Sequence, residues 1–272
     1  MVIATKHGKE KVIAPILEHY LGVKTFVPEH FDTDVLGTFT GEKERLTDVI
    51  TTLRKKCQIA MENYSCDLGV ASEGSFGPHP NVLFANIDEE FLILLDSRNN
   101  LEIISREISF ETNFNGCEIK SFSELKKFAK QVHFPSHAII LRNQKNGNSK
   151  IIKGIESWGE LTKSYEELMR AYGSVYAETD MRALYNPTRM NVIKSAANKL
   201  IDKIHSKCPE CGVPGFDVTE IKPGLPCSLC NSPTASTLSH IYSCSKCKYT
   251  LEKEFPNKKH FEDPMYCHNC NP

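Results

Sequence analysis

The sequence predicts an α/β domain, with a mixed central sheet flanked by helices, followed by a small cysteine-rich domain. Three observations predict it. Over most of the chain, short apolar runs rich in β-branched residues alternate with longer stretches whose apolar residues recur at helical spacing. Eight of the eleven cysteines lie beyond residue 207, in four C-x-x-C pairs. The 272 residues, 40% hydrophobic and 25% charged, are enough for a sizeable core and a second module. The cysteine clustering sets the boundary near Ile204, giving domains over 1–204 and 205–272.

The net charge of −1 supplies no global attraction to nucleic acid or to an anionic membrane. No apolar run approaches the ~18 residues that span a bilayer. The chain starts with apolar Met1-Val2-Ile3-Ala4 and only then reaches Lys6, His7, Lys9 and Lys11, the reverse order of a signal peptide. A soluble cytoplasmic protein is the expectation.

Val2 to Thr5 reads as a strand, and Val12, Ile13, Ile16, Leu17 and Tyr20 mark a helix after it. Thr5 to Lys11 joins the two with a hydroxyl and several cations. That is either a phosphate seat at a helix N-terminus or a solvated helix start. It is not a Walker loop, because the spaced glycines and the G-K-[ST] are missing. Lys24 to Val27 reads as a second strand. Phe31 to Glu42 is a polar loop holding Asp32, Asp34 and Thr38, and a long helix follows with Leu46, Val49, Ile50, Leu53, Cys57 and Ala60 inward.

Asp67 to Ala71 returns as a buried strand and breaks into A-S-E-G-S-F-G-P-H-P, Ala71 to Pro80. In this reading Glu73 and Ser75 stand in a glycine-rich turn at a strand end. That is a place where α/β enzymes present groups to a ligand, and equally a plain turn whose glycines supply positive φ. Val82 to Asp96 reads as two strands turning at Asp88-Glu89, and Leu101 to Glu111 as another. Ser121 and Glu124 form a capping box for the next helix. Ala138 to Leu141 is a strand, Asn143 to Ser149 a polar turn, and Gly159 to Tyr172 a helix with Leu161, Tyr165, Leu168 and Met169 inward. Asn186 and Pro187 then open a helix running to about Ile204, with Met190, Ile193, Ala197, Leu200 and Ile204 on one face. The loop before it holds Glu178, Asp180 and Arg182, either a local salt bridge or a ligand-facing loop.

The first domain resembles the inosine triphosphate pyrophosphatase-like superfamily, which hydrolyses non-standard purine nucleoside triphosphates. Ala4 to Lys9, A-T-K-H-G-K, is similar to its T-x-N-x-x-K phosphate motif, with His7 in place of asparagine. Gly37-Thr38-Phe39 with Lys56-Cys57-Gln58-Ile59-Ala60 looks like its T-F helix with K-A-x-x-A. Asp67 to Ser75 looks like its strand ending in an acidic residue, and Asp180-Met181-Arg182 resembles its base-recognition loop. The resemblance implies that Lys9, Lys11 and Lys56 neutralise a triphosphate, with Thr5, His7, Thr38 and Ser75 nearby. It implies that Glu73, with Asp32 or Asp34, holds Mg²⁺, which polarises the α-phosphate and orients a water. Arg182 would hydrogen-bond or stack on the base. The whole chain is also similar to a bacterial family, without an assigned role, that shares F-D-T-D, A-S-E-G-S-F-G-P-H-P and N-P-T-R-M. His79 has no counterpart in the superfamily motif.

The cysteine pairs are Cys208/Cys211, Cys227/Cys230, Cys244/Cys247 and Cys267/Cys270, separated by 15, 13 and 19 residues. This spacing is the signature of a double zinc-ribbon domain with two closed, structural zinc sites, each held by four cysteines. A thioredoxin-like redox motif needs only one such pair. Sequential pairing of the turns is favoured, and interleaved or nested pairing also satisfies the spacing. From Cys208 on there are six lysines and no arginine against seven acidic residues, and each four-thiolate zinc site adds about −2. That balance argues against nucleic acid and for a protein partner or a bracing role. The overall expectation is a Mg²⁺-dependent hydrolase or binder of a nucleoside triphosphate with a zinc tail. The alternative is a non-enzymatic nucleotide-sensing adaptor whose tail docks a protein. A homodimer is compatible with either.

Overall fold

The computed structural model describes residues 1–28, 49–79, 81–145 and 150–272. Asp32, Asp34, Thr38 and Leu46 lie outside these residues, as does the expected turn from position 146 to 149. The chain divides into two compact units, Met1–Ile201 and Asp202–Pro272.

The first unit is α/β, as its alternating pattern predicts, but its described residues form two four-stranded sheets rather than one central sheet. The first sheet orders β1 (Val2–Ala4), β2 (Leu68–Pro78), β3 (Asn86–Asp96) and β4 (Leu101–Ser109) side by side. β1 runs parallel to β2, and the others are antiparallel. Helix α1 (Glu10–Leu21) follows β1 and ends on left-handed Gly22. Helix α2 (Val49–Asn63) packs Leu53, Cys57, Ala60 and Met61 against Val2, Ala4, Ala71, Ile93 and Leu95, an apolar core on one sheet face.

Three strand expectations are corrected here. Lys24 to Val27 is not a strand: only Phe26 makes an isolated bridge, to Val2. Val82 to Asp96 does not turn at Asp88-Glu89. Asn86–Asp96 is one strand, with Asp88 opposite Phe76 and Ser109, and Glu89 opposite Ser75 and Ile108. Nor does β2 break after Ala71, because the ladder with β3 continues to Pro78. Gly74 is therefore a strand residue. A Cβ there would lie 2.8 Å from Arg189 Nη2 and inside the Glu90 carboxylate, so the glycine serves close approach rather than a turn.

The second sheet contains β5 (Gly116–Ile119), β6 (Ile139–Arg142), β7 (Ile151–Ile155) and β8 (Val175–Thr179), in the antiparallel order β5-β8-β6-β7. Helices α3 (Phe122–Gln131) and α4 (Trp158–Tyr172) cover one face. Leu125, Phe128, Leu161 and Leu168 pack there on Ile139, Leu141, Val175 and Ala177. The Ser121 hydroxyl accepts from Glu124 N at 3.2 Å, as the capping box predicts. Because side chains alternate along a strand, Ile140, Arg142, Tyr176 and Glu178 project from the opposite face. Helix α5 (Pro187–His205) starts where Asn186 and Pro187 predict: Asn186 Oδ1 accepts from Arg189 N at 3.0 Å. α5 also binds the first sheet, where Ser105 Oγ donates to Ala196 O at 2.8 Å.

The second unit is a three-stranded antiparallel sheet in the order β11-β10-β9, made of β9 (Asp217–Pro223), β10 (Thr237–Ser243) and β11 (Thr250–Glu254). Phe216, Tyr242, Tyr249 and Leu251 form a small core with Cys208 and Cys244. Among the described residues no helix is long and apolar enough to cross a membrane.

Candidate functional site

Where β1 ends, β2 continues past it, and buried polar side chains gather along the stretch of β2 that β1 leaves unpaired. Thr5 Oγ1 lies 3.4 Å from Ser72 Oγ. Lys56, reaching from α2, donates to Ser72 O at 3.1 Å and to Glu73 Oε2 at 3.2 Å. Lys9, from the junction before α1, donates to Glu90 Oε2 at 3.3 Å. Arg189, in the first turn of α5, donates through Nε to Glu90 Oε1 at 2.6 Å and through Nη1 to Met181 O. Its guanidinium also lies 4.7 Å from the centre of the Phe76 ring. Lys9, Lys56, Glu73, Glu90 and Arg189 are all buried.

Asp88 shares the sheet face of Glu90, two residues along β3. It is 1% exposed, and neither carboxylate oxygen has a hydrogen-bond partner. Burial, and then the Glu90 charge, push its carboxyl up to about 8. Burial likewise pulls Lys9 down to about 8, against the attraction of Glu90.

The predicted site residues thus divide. Thr5, Lys9, Lys56 and Glu73 gather at the end of β1, but the two lysines are engaged by carboxylates rather than directed at solvent. Ser75 donates to Glu89 Oε2 at 3.2 Å, away from that cluster. Lys11 is exposed, and His7 takes a left-handed φ of 65° in the junction. Arg182 is held by Asp180, at 2.9 Å from Nε to Oδ1 and 2.5 Å from Nη2 to Oδ2, and stacks over Tyr185. His79 belongs to the β2–β3 connection: its Nδ1 accepts from Asn81 N and Val82 N at 3.1 and 3.0 Å. Asp34 and Thr38 are outside the described residues.

Sequence reading missed Asp88, Glu90 and Arg189. Signals for them existed. Asp88 and Glu90 interrupt an otherwise apolar strand on one face, and Arg189 falls at helical spacing with inward Ile193, Ala196 and Leu200.

Above Arg189 lies an open cleft of about 500 Å³ on the helix-free face of the second sheet. Phe76 and Met181, both contacted by Arg189, line it, with Phe114, Tyr176, Arg142, Lys145, Glu178 and Arg182. Phe76 and Phe114 stack at 6.1 Å between ring centres. Arg142 Nη2 donates to Glu178 Oε1 at 2.7 Å. Burial raises the Glu178 carboxyl, and Arg142 opposes the shift.

In the second unit the cysteines form two groups of four, Cys208/Cys211/Cys244/Cys247 and Cys227/Cys230/Cys267/Cys270, with the sulfurs of each within 4.8 Å of one another. The favoured sequential pairing is corrected: the turns interleave. The cause is the sheet. Each strand carries the chain from one end to the other, so the first and third turns meet at one end and the second and fourth at the other. Seven extended residues span about 20 Å, too far for consecutive turns to share an ion. Sulfur separations of 3.6 and 3.5 Å in the first group, and 3.9 and 3.6 Å in the second, are close to the roughly 3.8 Å edge of a tetrahedron with Zn–S of about 2.3 Å. Backbone N–H groups of Cys247 and Leu229 donate to Cys244 Sγ and Cys227 Sγ, each at 3.4 Å, as around a thiolate–metal centre. Both groups can therefore hold a metal ion, and all-thiolate donors suit zinc. Among the described residues only these cysteines bring three or more ligand atoms together.

The chain belongs to the DUF6671 family. The match to this domain of unknown function covers residues 56–272. It takes in Lys56, Glu73, Asp88, Glu90, Arg189 and all eight paired cysteines, and begins after the Thr5-to-Lys11 junction. No curated protein and no solved structure matches this DUF6671 chain.

Proposed function

We propose that the first unit binds a nucleoside triphosphate in the cleft above the buried ion cluster and hydrolyses its phosphate chain. One observation carries the reading: aromatic rings (Phe76, Phe114, Tyr176) and cations (Arg142, Lys145, Arg182) line the same cleft. Stacking on an aromatic ring stabilises a base by about 1–3 kcal/mol, and guanidinium groups suit phosphate oxygens. Lys9, Lys56 and Glu73, which the superfamily resemblance assigns to phosphate and metal, lie in the same unit, and Lys9 is joined to the cleft wall through Glu90 and Arg189. Magnesium does not have a ready-made site among the described residues, since Glu73 and Glu90 already accept from Lys56, Lys9 and Arg189. In this reading it enters with the nucleotide, and Glu73 with Asp32 or Asp34 are the carboxylates assigned to it by resemblance. The two cysteine groups hold structural zinc.

The test is pyrophosphate release from a nucleoside triphosphate panel with Mg²⁺, wild type against Glu73→Gln. Release that the substitution abolishes supports the enzyme. No release from any nucleotide, or an unchanged mutant rate, removes it. The engagement of Lys9 and Lys56 by carboxylates favours a second reading, a nucleotide sensor whose zinc unit docks a protein. Thermal stabilisation by a nucleotide without turnover selects that one.

A further inference from the structure

Arg142 and Glu178 stand on neighbouring strands β6 and β8, diagonal to each other on the helix-free face. The pair differs from an ordinary surface salt bridge. Arg142 is 6% exposed, lines an open cleft, and has an Nε with no hydrogen-bond partner. Such an unmet donor is uncommon in a finished core, where buried polar groups are paired. Asp180, by contrast, serves Arg182 and the Gly154 N–H. Glu178 accepts from Arg142 through Oε1, and a carboxylate has about four lone-pair sites in all, so it retains capacity on the cleft side.

We propose that Arg142 and Glu178 are the selectivity element of the cleft, and that the ligand they select carries a 2-amino-6-oxopurine, a base of the guanine type. This rests on the nucleotide reading above. A carboxylate only accepts and a guanidinium only donates. The guanine edge offers N1–H and the 2-amino group to the carboxylate and the 6-oxo group to the guanidinium. Hypoxanthine keeps the 6-oxo group and N1–H but lacks the amino group. Adenine places acceptor N1 against the half-buried carboxylate and its 6-amino group against the buried guanidinium, so both groups lose a partner. Sites built to pair polar groups reject such analogues strongly, because the penalty is an unpaired buried charge.

The experiment is calorimetric binding of GDP, IDP and ADP, which avoids turnover, to the full zinc-loaded chain. The expected ranking places GDP about tenfold tighter than IDP and about a hundredfold tighter than ADP. Glu178→Gln should abolish the preference for GDP over IDP, and because it also removes the counter-charge of buried Arg142 it should lower the unliganded thermal midpoint. Arg142→Lys should weaken GDP and IDP together. Equal affinities, or tighter ADP, overturn the assignment from the wild-type ranking alone, whatever the variants do. So does a GDP preference that survives Glu178→Gln. If no di- or triphosphate binds at all, the nucleotide reading falls and takes this one with it, which separates the two failures.

Discussion

Asp88 has both carboxylate oxygens without a partner, beside Glu90, in the interior of the first sheet. Its carboxyl, ordinarily near 3.8, is raised to about 8 by burial and by Glu90. Between those values the folded protein holds a proton that the unfolded chain has released, so raising the pH through this window removes stability. Asp88→Asn keeps the shape and removes the titration. Urea midpoints measured from about pH 4 to about pH 9 should show wild type losing stability relative to Asp88→Asn up to about pH 8, and no further above it. A constant difference across the range would contradict the buried, unpaired carboxyl. Lys9 acts oppositely and higher: pulled down to about 8 from 10.5, it returns stability as the pH rises between those values. Asp88 and Glu90 escaped sequence reading because the Asp88-Glu89 pair in an apolar run looks like a turn. Only the ladder on both sides of β3 shows that they point into the sheet's interior.

Secondary-structure elements decide how the cysteines group. The eight candidate ligands were legible from spacing, since two thiolates on one tight turn need C-x-x-C. Their partners were not, because spacing is blind to strand direction. Three antiparallel strands place alternate turns at opposite ends of the sheet. Double substitutions distinguish the arrangements by metal content. Cys211→Ser with Cys247→Ser should leave about one zinc per chain, because both belong to one group; Cys211→Ser with Cys230→Ser should leave none. Sequential pairing gives the reverse result for the two variants, read by elemental analysis. Helix starts, by contrast, were legible: Ser121 and Asn186 cap through bonds to residues three along, which sequence order alone supplies.

At the scale of the whole molecule, the two units have unlike sources of stability. Among the described residues, Met1–Ile201 includes an apolar cluster under α2 and another under α3 and α4. Asp202–Pro272 has a small cluster built around Cys208, Phe216 and Cys244. With so little apolar core among its described residues, a unit of this size is expected to depend on the metal its two cysteine groups can hold. Chelation should therefore abolish hydrogen-exchange protection in peptides covering 208–270 while leaving that of 68–109 intact. Protection that persists in 208–270 after complete metal removal would show that the second unit folds without it.

The sequence by itself determined the α/β character, the capped starts of α3 and α5, and the eight cysteines that gather in groups able to hold a metal. Each of these follows from periodicity or from contacts a few residues long. Tertiary structure alone decided that the described strands of the first unit divide between two sheets and that β2 and β3 run unbroken. It also decided that Lys56 meets Glu73, that Glu90 joins Lys9 to Arg189, and that the cysteine turns interleave. These depend on which distant strands pair and in which direction, and a pattern of single residues contains no term for that.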